Sequence, residues 1–102
     1  MSFYMIKHIV VWRINDSADK EKTAALIKEK LEALKNEIDF LREIRVGINF
    51  NETDAASDIV LETVFDSKED LNAYQGHPAH VAVGKNYVRP NVCERRVIDY
   101  EF

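Results

Sequence analysis

The first strand-like stretch of the chain reads Met5-Ile6-Lys7-His8-Ile9-Val10-Val11-Trp12-Arg13-Ile14. Successive side chains of a strand point to opposite faces, so the stretch has an even-numbered and an odd-numbered face. Both faces are largely apolar: the even face holds His8 among four apolar side chains, and the odd face includes Ile9 and Val11. An antiparallel sheet commonly leaves one face in water. The second apolar face therefore predicts that another subunit covers it.

A helical period follows this strand. Asp16 or Ser17 is suited to cap a helix, because its side-chain oxygen can accept a hydrogen bond from a free backbone N–H group. Apolar residues then recur at spacings of three and four, which predicts an amphipathic helix of about five turns. The members of this stripe are Ile27, Leu31, Leu34, Ile38 and Leu41. The charged residues of the other faces, Lys28 and Glu32 among them, are expected to be solvated.

The second half of the chain alternates between strand-like and helical patterns. Residues 42–50 and 58–65 have a period of two and predict strands. Residues 67–76 and 78–88 predict two consecutive short helices, and residues 92–102 predict a last strand.

The junction between the two short helices reads Tyr74-Gln75-Gly76-His77-Pro78-Ala79-His80. Gly76 is expected to end the first helix in a left-handed conformation, and Pro78 suits the first position of the next helix. His80 then falls in a first turn, where the positive end of the helix dipole disfavours an imidazolium. Tyr74 lies one turn back and can present its hydroxyl to the same cavity. The pair fits acid–base chemistry or polar anchoring, and equally a purely structural corner.

The predicted order is strand, long helix, strand, strand, split helix, strand. We expect residues 1–102 to form one α+β domain, a ferredoxin-like subunit with a four-stranded antiparallel sheet and helices on one face. Two subunits packed through their exposed sheet faces would form a dimeric α+β barrel. The expected partner is therefore a second copy of the chain.

Composition argues against several partners. The net charge of -4 and the pI near 5.3 leave no basic stripe for a nucleic acid. The first apolar run is interrupted by Lys7 and is too short to span a bilayer, so no membrane association is expected. Cys93 is the single cysteine; it excludes an intrachain disulfide, is expected to pack beside a strand, and predicts a cytoplasmic protein. His77 and His80 have H-x-x-H spacing but lack further ligands at helpful spacing, so neither a metal nor another cofactor is expected.

Five segments together resemble the stress-response A/B barrel domain family. They are Ile6-Lys7-His8-Ile9-Val10, Val64-Phe65-Asp66-Ser67, residues 71–74, His77-Pro78-Ala79-His80 and Ile98-Asp99-Tyr100. The resemblance covers nearly the whole chain. It implies a ferredoxin-like subunit, a homodimer formed through the sheets, and a cavity between sheet and helices in each subunit.

The same resemblance implies candidate site residues. The family includes a plant polyketide cyclase that closes an aromatic ring without a cofactor. Tyr74 and His80 match its catalytic pair, which implies His80 as base and Tyr74 as the group that orients or polarises a carbonyl; His8 matches a further pocket histidine. Asp58 stands where the cyclase has another histidine, and aliphatic residues around Leu26 replace a pocket tyrosine, so its substrate is not carried over.

Three functions stay open at this point, and whether the chain is an enzyme is one of the open questions. The first is a cytoplasmic homodimer that binds a small apolar or aromatic ligand. Its pocket would be lined by His8, Trp12, Tyr74, His80 and Tyr87. The second is a cofactor-independent cyclase or lyase that acts next to a carbonyl, with His80 as base. The third is a structural stress protein without a ligand.

Overall fold

The computed structural model describes residues 4–16 and 19–102. In this part of the chain four strands form one antiparallel sheet in the order β2-β3-β1-β4. The strands are β1 (Ile6–Ile14), β2 (Glu43–Ile48), β3 (Ile59–Phe65) and β4 (Val92–Glu101). The helices are α1 (Lys20–Glu32), α2 (Lys68–Gly76) and α3 (Pro78–Val83). This is the predicted ferredoxin-like α+β arrangement.

β1 is central and its even face carries the core. Val10 pairs with Leu61 of β3 and with Val97 of β4. Ile6, Val10, Trp12 and Ile14 are buried together with apolar residues of the helices. The even face therefore packs against the helical layer, as its phase predicts.

α1 ends before the last residues of the apolar stripe that predicted it. It ends at Glu32 and continues as a 3₁₀ turn over Ala33–Asn36, and Ile38 and Leu41 are buried beyond both. The prediction of five continuous turns was therefore wrong, because residues in a tightened turn and a loop reach the same core. The N-cap is Asp19, whose carboxylate accepts the Lys22 N–H, whereas Ser17 lies outside the described residues.

Two charged residues of α1 are partly exposed, as expected, and also have a structural role. Lys28 Nζ donates to the Val46 carbonyl at 2.6 Å, and Glu32 accepts from the Val46 N–H at 3.0 Å. Lys28 and Glu32 also pair at 2.9 Å. They satisfy the outward N–H and C=O groups of Val46 in the middle of edge strand β2, which blunts this edge against pairing with another chain. β2 ends at Ile48, so Phe50, predicted to continue the strand, lies in a loop and is 96% exposed.

The α2–α3 junction depends on His77 and Pro78 rather than on a left-handed glycine. No glycine in the described residues has a positive φ, so the predicted conformation of Gly76 was wrong. Instead His77, which precedes Pro78, takes an extended conformation with φ -66° and ψ 133°. The proline ring disfavours a helical conformation at the preceding residue and so ends α2. His77 then serves as the N-cap of α3, its Nδ1 accepting the Ala79 N–H at 3.1 Å.

α3 does not run to residue 88 as one helix. A π-helical turn over Gly84–Val88 follows it, and a 3₁₀ turn over Arg89–Asn91 leads into β4. A π turn has i→i+5 spacing and displaces later residues by one position. Val88 is therefore buried toward the sheet, whereas Tyr87 lies beside α1 with its ring centre 5.1 Å from Lys30 Nζ.

β4 contains a bulge that sets the direction of its side chains. Val11 pairs with Arg96 and Arg13 pairs with Cys93, so Trp12 faces two residues, Glu94 and Arg95. Glu94 has a φ of 51°, which is left-handed and uncommon for a residue with a side chain.

Beyond the bulge, the sheet face opposite the helices is apolar and exposed. It carries the odd-numbered residues of β1 and the even-numbered residues of β4 that pair with them. Ile98 pairs with Ile9, and Tyr100 pairs with Lys7. Ile98 is 63% exposed, and Tyr100 and Phe102 are also exposed. The two-faced pattern predicted for β1 thus extends across β4 and forms an uncovered apolar surface, called here the outer sheet face, comprising Ile9, Val11, Ile98, Tyr100 and Phe102.

Candidate functional site

The candidate site is a cavity of about 480 Å³ between the sheet and the helical layer. β1 contributes His8, Val10 and Trp12, and the α3 segment contributes His80 and Val88. The remaining lining residues are Leu31, Leu61, Gln75, Val81, Gly84, Arg89, Val92, Cys93, Glu94 and Arg95. The walls are mainly apolar, and a smaller number of polar and charged side chains is set among them, which is typical of a small-molecule pocket.

His8 is buried and is held by a carboxylate on the neighbouring strand. Asp99 stands directly opposite His8 in the β1–β4 ladder, and its Oδ1 lies 2.5 Å from His8 Nδ1. A carboxylate accepts hydrogen bonds, so Nδ1 of His8 is the donor. Nε2 is then the nitrogen available for other partners, and the orientation of the ring is fixed.

His80 has a similar arrangement on the opposite wall. Its Nδ1 lies 3.3 Å from the Gln75 carbonyl, which can only accept, so Nδ1 carries the proton and Nε2 is free to accept one. Burial lowers the pKa of His80, and the positive charges of Arg89 and Arg95 add to this shift, although the hydrogen bond to Gln75 opposes it. The predicted neutral imidazole is therefore explained mainly by desolvation rather than by the helix dipole.

Tyr74 lies directly behind the two histidines. Its ring centre is 4.3 Å from that of His80, 6.3 Å from that of His8 and 5.0 Å from that of Phe65. The side chain is fully buried, and its hydroxyl has no hydrogen-bond partner among the described residues. Burial raises the pKa of Tyr74 well above its ordinary value of 10.0, so the phenol is neutral and able to donate. An unpartnered buried hydroxyl is uncommon and calls for an explanation.

Three of the five residues predicted for the pocket, His8, Trp12 and His80, line the cavity. Tyr74 does not line it; its ring packs against His80 from behind and its hydroxyl is buried. Tyr87 does not line it, because the π turn directs this side chain to Lys30 of α1. Asp58 also lies elsewhere: its carboxylate accepts the Ile14 N–H at 2.7 Å and lies 3.6 Å from Lys20 Nζ.

Sequence reasoning missed several residues at the site. Asp99 was placed in a strand, but only the register with β1 shows that it holds His8. Arg89 and Arg95 line the cavity, although nothing in their local sequence marks them. Cys93 is exposed and lines the cavity instead of packing in the core.

Among residues 4–16 and 19–102, no group of three or more His, Cys, Asp or Glu side chains is arranged to hold a metal ion. His77 Nδ1 accepts the Ala79 N–H at 3.1 Å, so this imidazole caps α3. In the same residues, no helix has the length and apolarity needed to cross a membrane.

Comparison with known proteins gives the family. The model of the stress responsive A/B barrel domain matches residues 6–102, and the chain belongs to this family. A stress-response A/B barrel domain-containing protein from Arabidopsis thaliana is 34% identical over 90 residues, which are 88% of this chain. The chain spans 34% of the length of that relative.

Solved structures with the same fold agree. A dimeric protein of unknown function with a ferredoxin-like fold from Bacteroides fragilis is 37% identical, with a TM-score of 0.86 and 96% of both chains covered. A hydroxynitrile lyase from Passiflora edulis has a TM-score of 0.82, with 96% of this chain and 93% of that chain covered. Its identity of 19% supports the likeness of fold alone.

Proposed function

We propose that this chain forms a homodimer whose subunits each bind a small, largely apolar ligand in the cavity between sheet and helices. One observation carries the proposal: His8 and His80 both line an apolar cavity, and each has its Nδ1 engaged as a donor. Each imidazole therefore keeps Nε2 free to form a hydrogen bond with a ligand hydroxyl or amide. A few fixed polar groups in an apolar pocket orient a ligand whose affinity comes mainly from apolar burial.

The geometry favours a second candidate function, a cofactor-independent cyclase or lyase. His80 has a lowered pKa and a free Nε2, which are the properties of a general base near neutral pH. Tyr74 packs behind it with a hydroxyl that has no partner among the described residues, and a substrate carbonyl that reaches past His80 would supply the missing acceptor. In this scheme His80 removes a proton next to the carbonyl while Tyr74 donates a hydrogen bond to the carbonyl oxygen.

The variant His80→Ala separates these functions, with His77→Asn as the matched control. Asn is a good N-cap, so the control removes a neighbouring imidazole while preserving the start of α3. Ligand binding is measured from the emission of Trp12, the single tryptophan, which lines the cavity. Native mass spectrometry of the purified protein identifies a retained ligand to titrate.

Each outcome assigns one function. Loss of affinity in His80→Ala, with folding retained and no turnover in the parent protein, supports the binding function. Loss of turnover with folding and binding retained supports the enzyme. If His80→Ala loses its folding, or if neither binding nor turnover is found in the parent protein, the cavity proposal fails and a structural role takes its place.

The homodimer is proposed through the outer sheet face. Ile98, Tyr100 and Phe102 are exposed there in a single subunit, and an apolar surface of this kind is typical of an interface. Similar structures described as dimeric, including the one from Bacteroides fragilis, support this arrangement. Ile98→Glu is expected to produce monomers in analytical ultracentrifugation. Leu26→Glu, an equally drastic change at an exposed leucine of α1, should leave the dimer intact; equal behaviour of the two variants would argue against this interface.

We retain the cytoplasm as the proposed location. Cys93 is a free, exposed thiol, which suits a reducing compartment. Fractionation of the source cells tests this point.

A further inference from the structure

The cavity contains two positive charges that the proposed function does not use. Arg89 and Arg95 both line it, and both side chains are exposed. Within the described residues neither guanidinium group has an ion-pair partner or donates a side-chain hydrogen bond. Two other arginines do have carboxylate partners: Arg42 contacts Asp66 through Nε and Nη2, and Arg13 Nε lies 3.5 Å from Glu94.

The backbone directs both arginines to the cavity. Arg89 follows Val88 directly, where the π turn ends and the 3₁₀ turn begins. Arg95 is the second of the two residues that the β4 bulge places opposite Trp12. The charges of both arginines reach the cavity interior, because both help to lower the pKa of His80, a shift caused first by burial.

The acidic groups nearby are already engaged. Glu94 also lines the cavity, but it faces Arg13. Asp99 is bound to His8 at 2.5 Å. The cavity therefore keeps a local excess of positive charge in a chain whose net charge is -4. General attraction of anions by the whole protein cannot account for such a site, whereas local steering of an anionic ligand can.

We propose that the ligand of this cavity is an amphipathic acid whose oxyanion is bound by Arg89 and Arg95 while its apolar body lies against Trp12. The inference rests on the proposed ligand-binding function. A guanidinium group presents parallel N–H donors that match a carboxylate or a phosphate monoester, and such charge-assisted hydrogen bonds are stronger than neutral ones. The two histidines then contact the part of the ligand that lies deeper in the cavity.

The test compares three probes with the same apolar chain: octanoate, octyl phosphate and the neutral octanamide. Binding is measured by calorimetry and by the emission of Trp12. We expect at least one of the two anions to bind the parent protein about tenfold more tightly than octanamide. The anion with the larger preference identifies the headgroup as carboxylate or phosphate.

Arg89→Gln and Arg95→Gln are each expected to remove most of the preference for the anion and to leave octanamide affinity unchanged. Arg96→Gln is the matched control, because Arg96 is the next residue of β4 and pairs with Val11 on the other face. It should keep the preference. Thermal melts check that the variants fold, which is expected since the arginines are exposed.

The possible failures are distinguishable. Equal affinity of the anions and octanamide in the parent protein overturns the inference but leaves the apolar pocket standing. An anion preference that survives in both Arg89→Gln and Arg95→Gln, or that disappears equally in Arg96→Gln, also overturns it. Absence of binding by all three probes contradicts the proposed pocket itself, and the inference with it.

Discussion

Replacing Tyr74 by Phe tests the most unusual feature of the site. The variant removes one oxygen atom and keeps the ring that packs against Phe65 and His80. A buried polar group without a partner costs about 1–3 kcal/mol. Removing the hydroxyl removes this cost. The void left by the missing oxygen offsets only a few tenths of a kcal/mol of that gain, at ~24 cal/mol per Å³ of cavity. Tyr74→Phe is therefore expected to raise the free energy of unfolding by about 1–2 kcal/mol in the ligand-free protein.

The assay is urea denaturation followed by the emission of Trp12, at one fixed protein concentration because dimerisation makes stability concentration-dependent. In a thermal melt the same gain raises Tm by about 4–8 °C per kcal/mol for a domain of this size. Tyr87→Phe is the control. Tyr87 is half-buried and its ring contact with Lys30 does not need the hydroxyl, so a change of no more than about 0.5 kcal/mol is expected.

Tyr74→Phe is expected to have the opposite effect on ligand affinity. If Tyr74 is kept for its hydroxyl, Tyr74→Phe should bind a carbonyl ligand more weakly while the fold becomes more stable. A loss of stability of about 1 kcal/mol or more would refute the reasoning, because it would show that the hydroxyl already has a hydrogen-bond partner in the free protein.

Three further predictions concern stability. His77→Ala removes the acceptor of the Ala79 N–H and should cost about 0.5–2 kcal/mol in urea denaturation, whereas His77→Asn should cost much less; equal losses would argue against the capping role. Burial in the folded protein lowers the pKa of His80, so below the ordinary pKa of 6.5 the unfolded chain binds more protons than the folded one. The free energy of unfolding therefore falls as the pH falls below 6.5. Denaturation midpoints at pH 7.5 and pH 5.5 should accordingly differ less in His80→Gln than in the parent protein, and an unchanged difference would contradict this role. A Cβ at Gly47 would lie 2.9 Å from Val60 Cγ1, so Gly47→Ala should cost about 1–3 kcal/mol and Val60→Ala should recover much of it in the double variant; additive losses would exclude the clash.

The parts of the fold that depend on side-chain period could be predicted from the sequence. The alternation of residues 5–14 predicted both faces of β1 correctly, including the burial of His8. The helix predicted from residue 67 is also present: Ser67 is the N-cap of α2, and its hydroxyl accepts the Asp70 N–H at 3.1 Å. These features follow from local geometry, in which the period and the cap lie within a few residues of each other.

The parts that failed depend on irregular backbone. The π turn moved Tyr87 away from the cavity, and no propensity distinguishes such a turn from an α-helix in advance. The pairing of Asp99 with His8 joins residues 91 positions apart, and it depends on the register of β4 against β1. Local patterns place both residues in strands, but only the assembled sheet decides that they meet.

The bulge at Glu94 reconciles two pairings within β4. Val92 on one side of it pairs with Ile14, and Asp99 on the other side pairs with His8, so both lie on the inner face of the sheet although they are seven positions apart. Side chains alternate along a regular strand, so an odd separation of this kind needs one extra residue between the two halves. Deleting Glu94 would leave Arg95 alone opposite Trp12 and keep both flanking registers, so dimerisation and apolar ligand binding are expected to survive in sedimentation and titration measurements, and loss of either would contradict this account. Each half of β4 is therefore held by its own pairing with β1, and the bulge absorbs one residue of extra length without moving Asp99 or the outer sheet face.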